Sequence, residues 1–295
     1  MNGYDVTIFG IDLHLTPVAF TIPIGNGWDV YWYGIIIATG FLLALIYGFK
    51  NAGRFGINTD RMLDVVLVTT PVSILCARTY YLLFDGENLT GIKDFFGFGG
   101  SGFAGLAIYG GVIGAFTCGA IMCKIRKIKI LDMFDLAALG FLIGQGIGRW
   151  GNFINQEAYG NYTGSSWWGM QSEKTIREMG EGLVHPCFLY ESIWCICGFF
   201  VLHYLSKKRR FSGEVSLMYC AWYGFGRAII ETLRTDSLMI GRIRVSCLLS
   251  VLLCLAGLTL IFVFRRKLSV RANESGEYAP MFENGEEENE NVQDN

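Results

Sequence analysis

Residues 130–160 read Ile130-Leu-Asp-Met-Phe-Asp-Leu-Ala-Ala-Leu-Gly-Phe-Leu-Ile-Gly-Gln-Gly-Ile-Gly-Arg-Trp-Gly-Asn-Phe-Ile-Asn-Gln-Glu-Ala-Tyr-Gly160. The first part is an apolar segment of about 20 residues, the length an α-helix needs to cross about 30 Å of hydrocarbon. The remainder is polar: Arg149, Asn152, Asn155 and Glu157 fall within nine residues. A soluble protein places such a string on its surface at no cost. Beside a membrane-length helix the same groups need partners, because charges and amides in hydrocarbon are expensive to leave unpaired.

The composition supports a membrane setting. Of the 295 residues, 52% are apolar or aromatic and 17% charged, and the mean hydropathy is +0.38. A soluble domain has about 25% charged residues. The 38 glycines suit close helix packing in lipid. A net charge of -2 argues against a nucleic-acid partner. All nine cysteines lie in or beside apolar segments and read as small buried apolar residues. No basic region followed by a cleavable apolar core opens the chain, so no signal peptide is expected.

Working outward from residues 130–150, six further segments approach membrane length: 31–49, 62–84, 102–123, 186–205, 214–231 and 245–264. Residues 102–123 and 245–264 contain no charge. The others that carry Asp64, Arg78, Asp132, Asp135 or Arg227 require polar surroundings. The fold expected is an all-α polytopic membrane protein with seven transmembrane helices. Fifteen of the 24 basic residues fall in 50–61, 124–129, 207–210 and 265–271, whereas residues 1–30 have none and 85–101 only Lys93. Positive charge is retained in the cytoplasm, so the N-terminus is expected outside and the C-terminus in the cytoplasm. Trp28, Trp32, Trp150, Trp167 and Trp168 then fall at the outer interface, where amphipathic rings settle. Residues 1–30 form an external segment and 31–264 the transmembrane domain. Residues 151–185 form a small external subdomain between helices four and five. Residues 265–295 form an acidic, disordered cytoplasmic tail.

At about 1.5 Å per residue, Arg149 lies about 30 Å above Lys129, and Arg227 about 25 Å above Arg210. Arg78 reaches a similar height, and Tyr33, Tyr109 and His185 fall in the same outer layer. Glu231 and Arg234 follow Arg227 by four and seven residues, on one helical face. A single intramembrane arginine can serve packing alone; three at one depth favour a site. Guanidinium forks bind phosphate through two hydrogen bonds and remain charged, so the layer suits a phospholipid headgroup. Glu157 and Glu231 would orient the arginines, and Asn152 and Asn155 would donate to phosphate or glycerol oxygens. No His-rich set has metal-ligand spacing, and no metal or cofactor is expected. The alternatives are a transporter or channel for an anionic solute, which calls for polar residues at the inner depth and repeated halves, and a non-catalytic scaffold.

The Gly148–Gly160 stretch resembles the signature of the prolipoprotein diacylglyceryl transferases of bacterial inner membranes. Supporting matches are Trp32-Tyr33-Gly34, Ala77-Arg78 with Tyr81 to Phe84, and Tyr109 to Gly114. His185-Pro186 with Leu189-Tyr190-Glu191, and Tyr223 to Arg227 with Glu231 and Arg234, complete the set. The resemblance implies transfer of a diacylglyceryl group from phosphatidylglycerol to the lipobox cysteine thiol of a prolipoprotein signal peptide, with release of glycerol phosphate at the outer leaflet. It implies Arg149, Arg227, Tyr109 and Glu157 as catalytic groups. Tyr33, Arg78, Asn152, Asn155, Gly160, His185, Tyr223, Glu231 and Arg234 would contact substrate. Three positions depart from the family: Tyr109 stands where many members have His, Phe188 where Gln is usual, and Tyr31 where Arg precedes Trp-Tyr-Gly.

Overall fold

The computed structural model describes residues 3–23, 28–85, 107–235, 239–240 and 243–275. It is mostly helical. Six helices are long and apolar enough to cross a membrane: α1 (Trp32–Asn51), α2 (Thr59–Asp85), α3 (Ile108–Ile125), α4 (Ile130–Ile154), α6 (Cys187–Ser206) and α8 (Val245–Ser275). Between α4 and α6 lies the short α5 (Glu173–Met179). The remaining expected segment forms α7 (Glu214–Leu233), of comparable length, but Glu214, Arg227 and Glu231 lower its apolar character.

Two boundaries differ from the sequence expectation for physical reasons. Helix α4 continues to Ile154, so Asn152 belongs to the same helix as Arg149 rather than to a connection beginning at 151. It stops where Gln156 turns left-handed (φ 53°) and donates to the Phe153 carbonyl. Helix α8 extends past 264 to Ser275, so residues 265–275 are helical and not a disordered tail. Arg265 Nε, 2.6 Å from buried Glu214 Oε1, holds that extension to α7. Residues 102–106 of the third expected segment, the connection 86–101 and the tail from 276 onward lie outside the described residues.

The all-α expectation also missed short strands. β1 (Tyr4–Ile8) and β2 (Ile11–Leu15) form a hairpin whose turn, Phe9-Gly10, has positive φ at both residues (51° and 77°), the twist that two-residue hairpins favour. β1 pairs on its other side with β5 (Met170–Ser172), in the order β2-β1-β5. The N-terminal segment and the 151–185 connection therefore share one sheet. Alternation turns Tyr4 and Val6 of β1 inward, against Phe153, Tyr159, Met170, Val184 and Phe188. Phe188, one of the departures from the family, is fully buried and stacks on Phe153 at 4.7 Å. An amide there would have to be buried among apolar rings. A second ribbon, β3 (Val18–Ile22) with β4 (Trp28–Tyr31), leads into α1, and β6 (Met239–Ile240) with β7 (Ile243–Arg244) lies between α7 and α8.

The described residues divide into two compact units, one drawn from residues 3–48 and 135–275 and the other from 49–85 and 107–134. In the second, α2 and α3 pack closely; a Cβ on Gly110 would meet the Cys76 carbonyl oxygen and Tyr80 Cβ. In the first, Trp194 and Trp222 lock α6 to α7 reciprocally. Each indole N–H donates to the other residue's carbonyl at 3.0 Å, and the rings stack at 4.5 Å. Gly226 and Gly198 leave the space for them. The start of α7 is held by Asp135, which is fully buried. Its carboxylate accepts from the Gly213 and Ser216 N–H groups, the Ser216 hydroxyl and Arg209 Nη1, at 2.8–3.0 Å. Asp135→Leu would remove the buried acceptor that the N-terminus of α7 and Arg209 Nη1 share. A loss of about 3 kcal/mol is expected, measured as a lowered unfolding temperature in detergent.

Candidate functional site

The centre of the polar layer in the first unit is Glu191, one turn into α6 and 2% exposed. One carboxylate oxygen, Oε1, accepts from Arg149 Nη2 and, at 3.1 Å, from the Tyr223 hydroxyl. The other, Oε2, accepts from Arg227 Nη1 at 2.9 Å. Arg227 Nη2 lies 2.7 Å from Glu231 Oε2, an ion pair rather than a well-aligned hydrogen bond. Three helices thus supply one cluster: α4 gives Arg149, α6 Glu191, and α7 Tyr223, Arg227 and Glu231. Their spacing explains the geometry. Tyr223, Arg227 and Glu231 are four residues apart along α7 and lie on one face, and the Trp194–Trp222 lock sets that face against Glu191.

Arg149 Nη1 donates to Asn152 Oδ1 at 3.1 Å, a contact that the continued helix makes possible at a spacing of three residues. Asn152 Nδ2 reaches Glu157 Oε2 at 3.4 Å. Glu157 therefore touches Arg149 only through Asn152. The residue that orients both arginines is Glu191, which the sequence motifs contain but do not mark as shared between them. Glu157 sits between two left-handed non-glycine residues, Gln156 (φ 53°) and Ala158 (φ 58°). Such conformations cost about 1–3 kcal/mol each and persist only where surroundings impose them. Here the Gln156 side chain accepts the Lys174 N–H at 2.9 Å, and Ala158 is buried.

Gly160 closes the loop where no larger residue fits. A Cβ there would lie 2.7 Å from the Leu233 carbonyl oxygen and 2.8 Å from both Cys187 Sγ and His185 Cβ. Its backbone bridges to Arg234, and its N–H donates to the His185 carbonyl. Arg234 corrects the sequence reading. α7 ends at Leu233, and Arg234 is extended (φ -74°, ψ 149°), so it leaves the helical face that carries Arg227 and Glu231. His185 precedes α6, and its Nδ1 lies 3.1 Å from the Tyr190 hydroxyl, which also accepts from Trp168 Nε1 at 2.8 Å. It joins an aromatic group beside the sheet. Tyr33 packs its ring under Gly151, where a Cβ would be 2.7 Å from Tyr33 Cδ2. The Asn155 N–H continues the helix to the Gly151 carbonyl, and its side chain makes no hydrogen bond among the described residues.

Two further groups were not foreseen. Arg244 Nη1 donates to the Glu231 carbonyl at 2.5 Å, placing positive charge at the C-terminal end of α7, where the helix dipole favours it. One turn before Arg149 in α4, Gln145 Nε2 donates to the Tyr219 hydroxyl at 2.8 Å, and Tyr219 stacks on Tyr223 at 5.6 Å. Arg78 and Tyr109 belong to the second unit. Arg78 is 2% exposed, with its guanidinium 5.6 Å from the Tyr81 ring centroid. Tyr109 opens α3, largely exposed and 6.3 Å from the Tyr80 ring.

Among the described residues no three His, Cys, Asp or Glu side chains group as metal ligands. What the cluster offers is two oriented guanidinium groups, partly exposed, each with donors beyond those used by Glu191, Glu231 and Asn152. Such forks suit a phosphate or carboxylate.

The family model described as prolipoprotein diacylglyceryl transferase matches residues 17–263. A protein of Clostridioides difficile named phosphatidylglycerol–prolipoprotein diacylglyceryl transferase is 41% identical over 246 residues, 82% of this chain and 92% of that protein. Proteins of the same name from Limosilactobacillus reuteri and Bacillus cytotoxicus are 38% identical over 271 residues and 41% over 253. These alignments cover 88% and 80% of this chain, and 94% and 88% of the relatives.

Proposed function

The chain belongs to the prolipoprotein diacylglyceryl transferase family, and we infer its reaction from that premise. It is a diacylglyceryl transferase. It transfers the diacylglyceryl group of phosphatidylglycerol to the thiol of a prolipoprotein cysteine, the first step of lipoprotein maturation. The acceptor in this reading is the lipobox cysteine of the signal peptide. The transporter or channel alternative has no support from the relatives, which are named as transferases.

The geometric observation that carries the mechanism is the meeting of Arg149 and Arg227 on Glu191. The thiol gives up its proton, the thiolate sulfur attacks the glyceryl carbon, the carbon–oxygen bond to phosphate breaks, and glycerol phosphate departs with the electron pair, the released proton balancing the charge it gains. Negative charge grows on the phosphate as that bond breaks. Donors already aimed at the developing charge are worth about 10²–10³ in rate each, and low water content strengthens them. The reading assigns Arg149 and Arg227 to the phosphate. It assigns Asn152 and Asn155 to phosphate or glycerol oxygens, and Glu157 to holding Asn152. A free thiol has a pKa of about 8.5, so a positive field also favours the thiolate.

The multi-pass chain is read as lying in the bacterial inner membrane, with seven spans, N-terminus outside and the site at the outer leaflet. Support comes from the basic residues at alternate connections and the aromatic belt. The sheet subdomain then lies outside.

Purified full-length protein incubated with phosphatidylglycerol and a lipobox peptide should add a diacylglyceryl mass to the peptide thiol and release glycerol phosphate. Anion uptake into vesicles without lipidation would overturn the transferase reading. Tyr109→Phe is expected to lower turnover less than about tenfold, the loss of one neutral hydrogen bond, because a neutral phenol is a poor proton acceptor. A loss beyond about 10²-fold, the scale of a general base, would make its hydroxyl essential.

A further inference from the structure

The arginines of the site are not free charges. Arg149 and Arg227 carry two positive charges, and Glu191 and Glu231, both nearly fully buried, carry two negative ones. The cluster is therefore neutral before any phosphate enters. Glu191 is the shared member, bound to one arginine through each oxygen, and Tyr223 donates to it as well. Resting on the transferase reading, the reaction changes the charge of the bound anion. The substrate phosphate is a diester with one negative charge. The departing glycerol phosphate is a monoester, whose second ionisation has a pKa of about 6. Two unpaired arginines in a site of low dielectric would hold that dianion more firmly than the incoming monoanion, and the product would block the next turnover.

We propose that Glu191 is a positioning residue that also competes with phosphate for the two guanidinium groups. It keeps both forks oriented while the site is empty, and its charge weakens the hold on the dianionic product enough to release it. The buried location makes the competition effective, because solvent screens it little. Among the described residues Glu231 pairs with Arg227 and not with Arg149, so it opposes anion binding at one fork.

The test uses full-length protein in detergent and glycerol phosphate as the probe, with binding followed by calorimetry and product inhibition followed in the lipidation assay. Glu191→Gln preserves shape and removes charge. It should bind glycerol phosphate at least tenfold more tightly than wild type, be inhibited correspondingly more by it, and show a lower kcat. Glu231→Gln should tighten binding less. Glycerol phosphate binding by folded Glu191→Gln that is no tighter than wild type would overturn the competition. If Glu191→Gln does not fold, Glu191→Asp decides. Retained weak binding with reduced kcat supports the proposal, and tightened binding overturns it. Binding is read without turnover. A wild-type protein that binds glycerol phosphate but lipidates no peptide would therefore overturn the transferase reading, a failure distinct from that of the binding comparison.

Discussion

Arg227→Lys is expected to lower kcat/KM for peptide lipidation by about 10²–10³-fold, the scale of losing an oriented donor to a developing oxyanion, in a protein that remains folded. Arg227 uses its two Nη groups on two different carboxylates, Glu191 Oε2 and Glu231 Oε2. A lysine retains the charge that those buried groups require, but offers a point charge on a flexible stem instead of a planar fork. It would lean toward one carboxylate and present no fixed donors to a phosphate. Arg227→Ala is the more damaging change. It leaves Glu231, 1% exposed, and one oxygen of Glu191 without their partner, and breaking a buried pair in this way costs about 3–5 kcal/mol. Comparing thermal unfolding with turnover separates the two effects. Near-normal turnover of the lysine variant would rule out a fork on the phosphate.

Arg149→Ala should cost a similar 10²–10³-fold in kcat/KM, with a smaller fall in unfolding temperature than Arg227→Ala. The asymmetry follows from the partners. After loss of Arg149, Glu191 still accepts from Arg227 and Tyr223, and Asn152 still reaches Glu157. After loss of Arg227, Glu231 loses its ion-pair partner among the described residues. Equal destabilisation by the two variants would contradict this account of which charge compensates which. A folded Arg149→Ala variant with near-normal turnover would exclude Arg149 from the phosphate site.

How much of this was legible in the sequence depends on the range of the interaction concerned. Residues 245–264 contain no charge, and their helical reading needed only length and hydropathy; the helix past 264 depends on Arg265 meeting Glu214 from another helix. Arg149 and Arg227 could be brought to one depth by counting residues along two helices. Counting also put Arg234 on the face of Arg227, and failed there. The helix stops at Leu233, close to the bound of 231 expected from hydropathy, so Arg234 already lies past its end, extended to bridge with Gly160. The β1–β2 hairpin had a local cue in its Phe9-Gly10 turn, but pairing of β1 with β5 joins positions more than 160 residues apart.

Sequence alone determined the membrane-length apolar helices, the clustering of polar groups after residue 148 and the family, because hydropathy and signature motifs are properties of contiguous residues. Tertiary structure alone decided which charges meet. The Trp194–Trp222 lock sets the register between α6 and α7, and that register makes Glu191, rather than Glu157, the carboxylate shared by both arginines. Residue spacing defines a face on one helix. It contains no information about the rotation of the next helix, which is set by packing between side chains far apart in the chain.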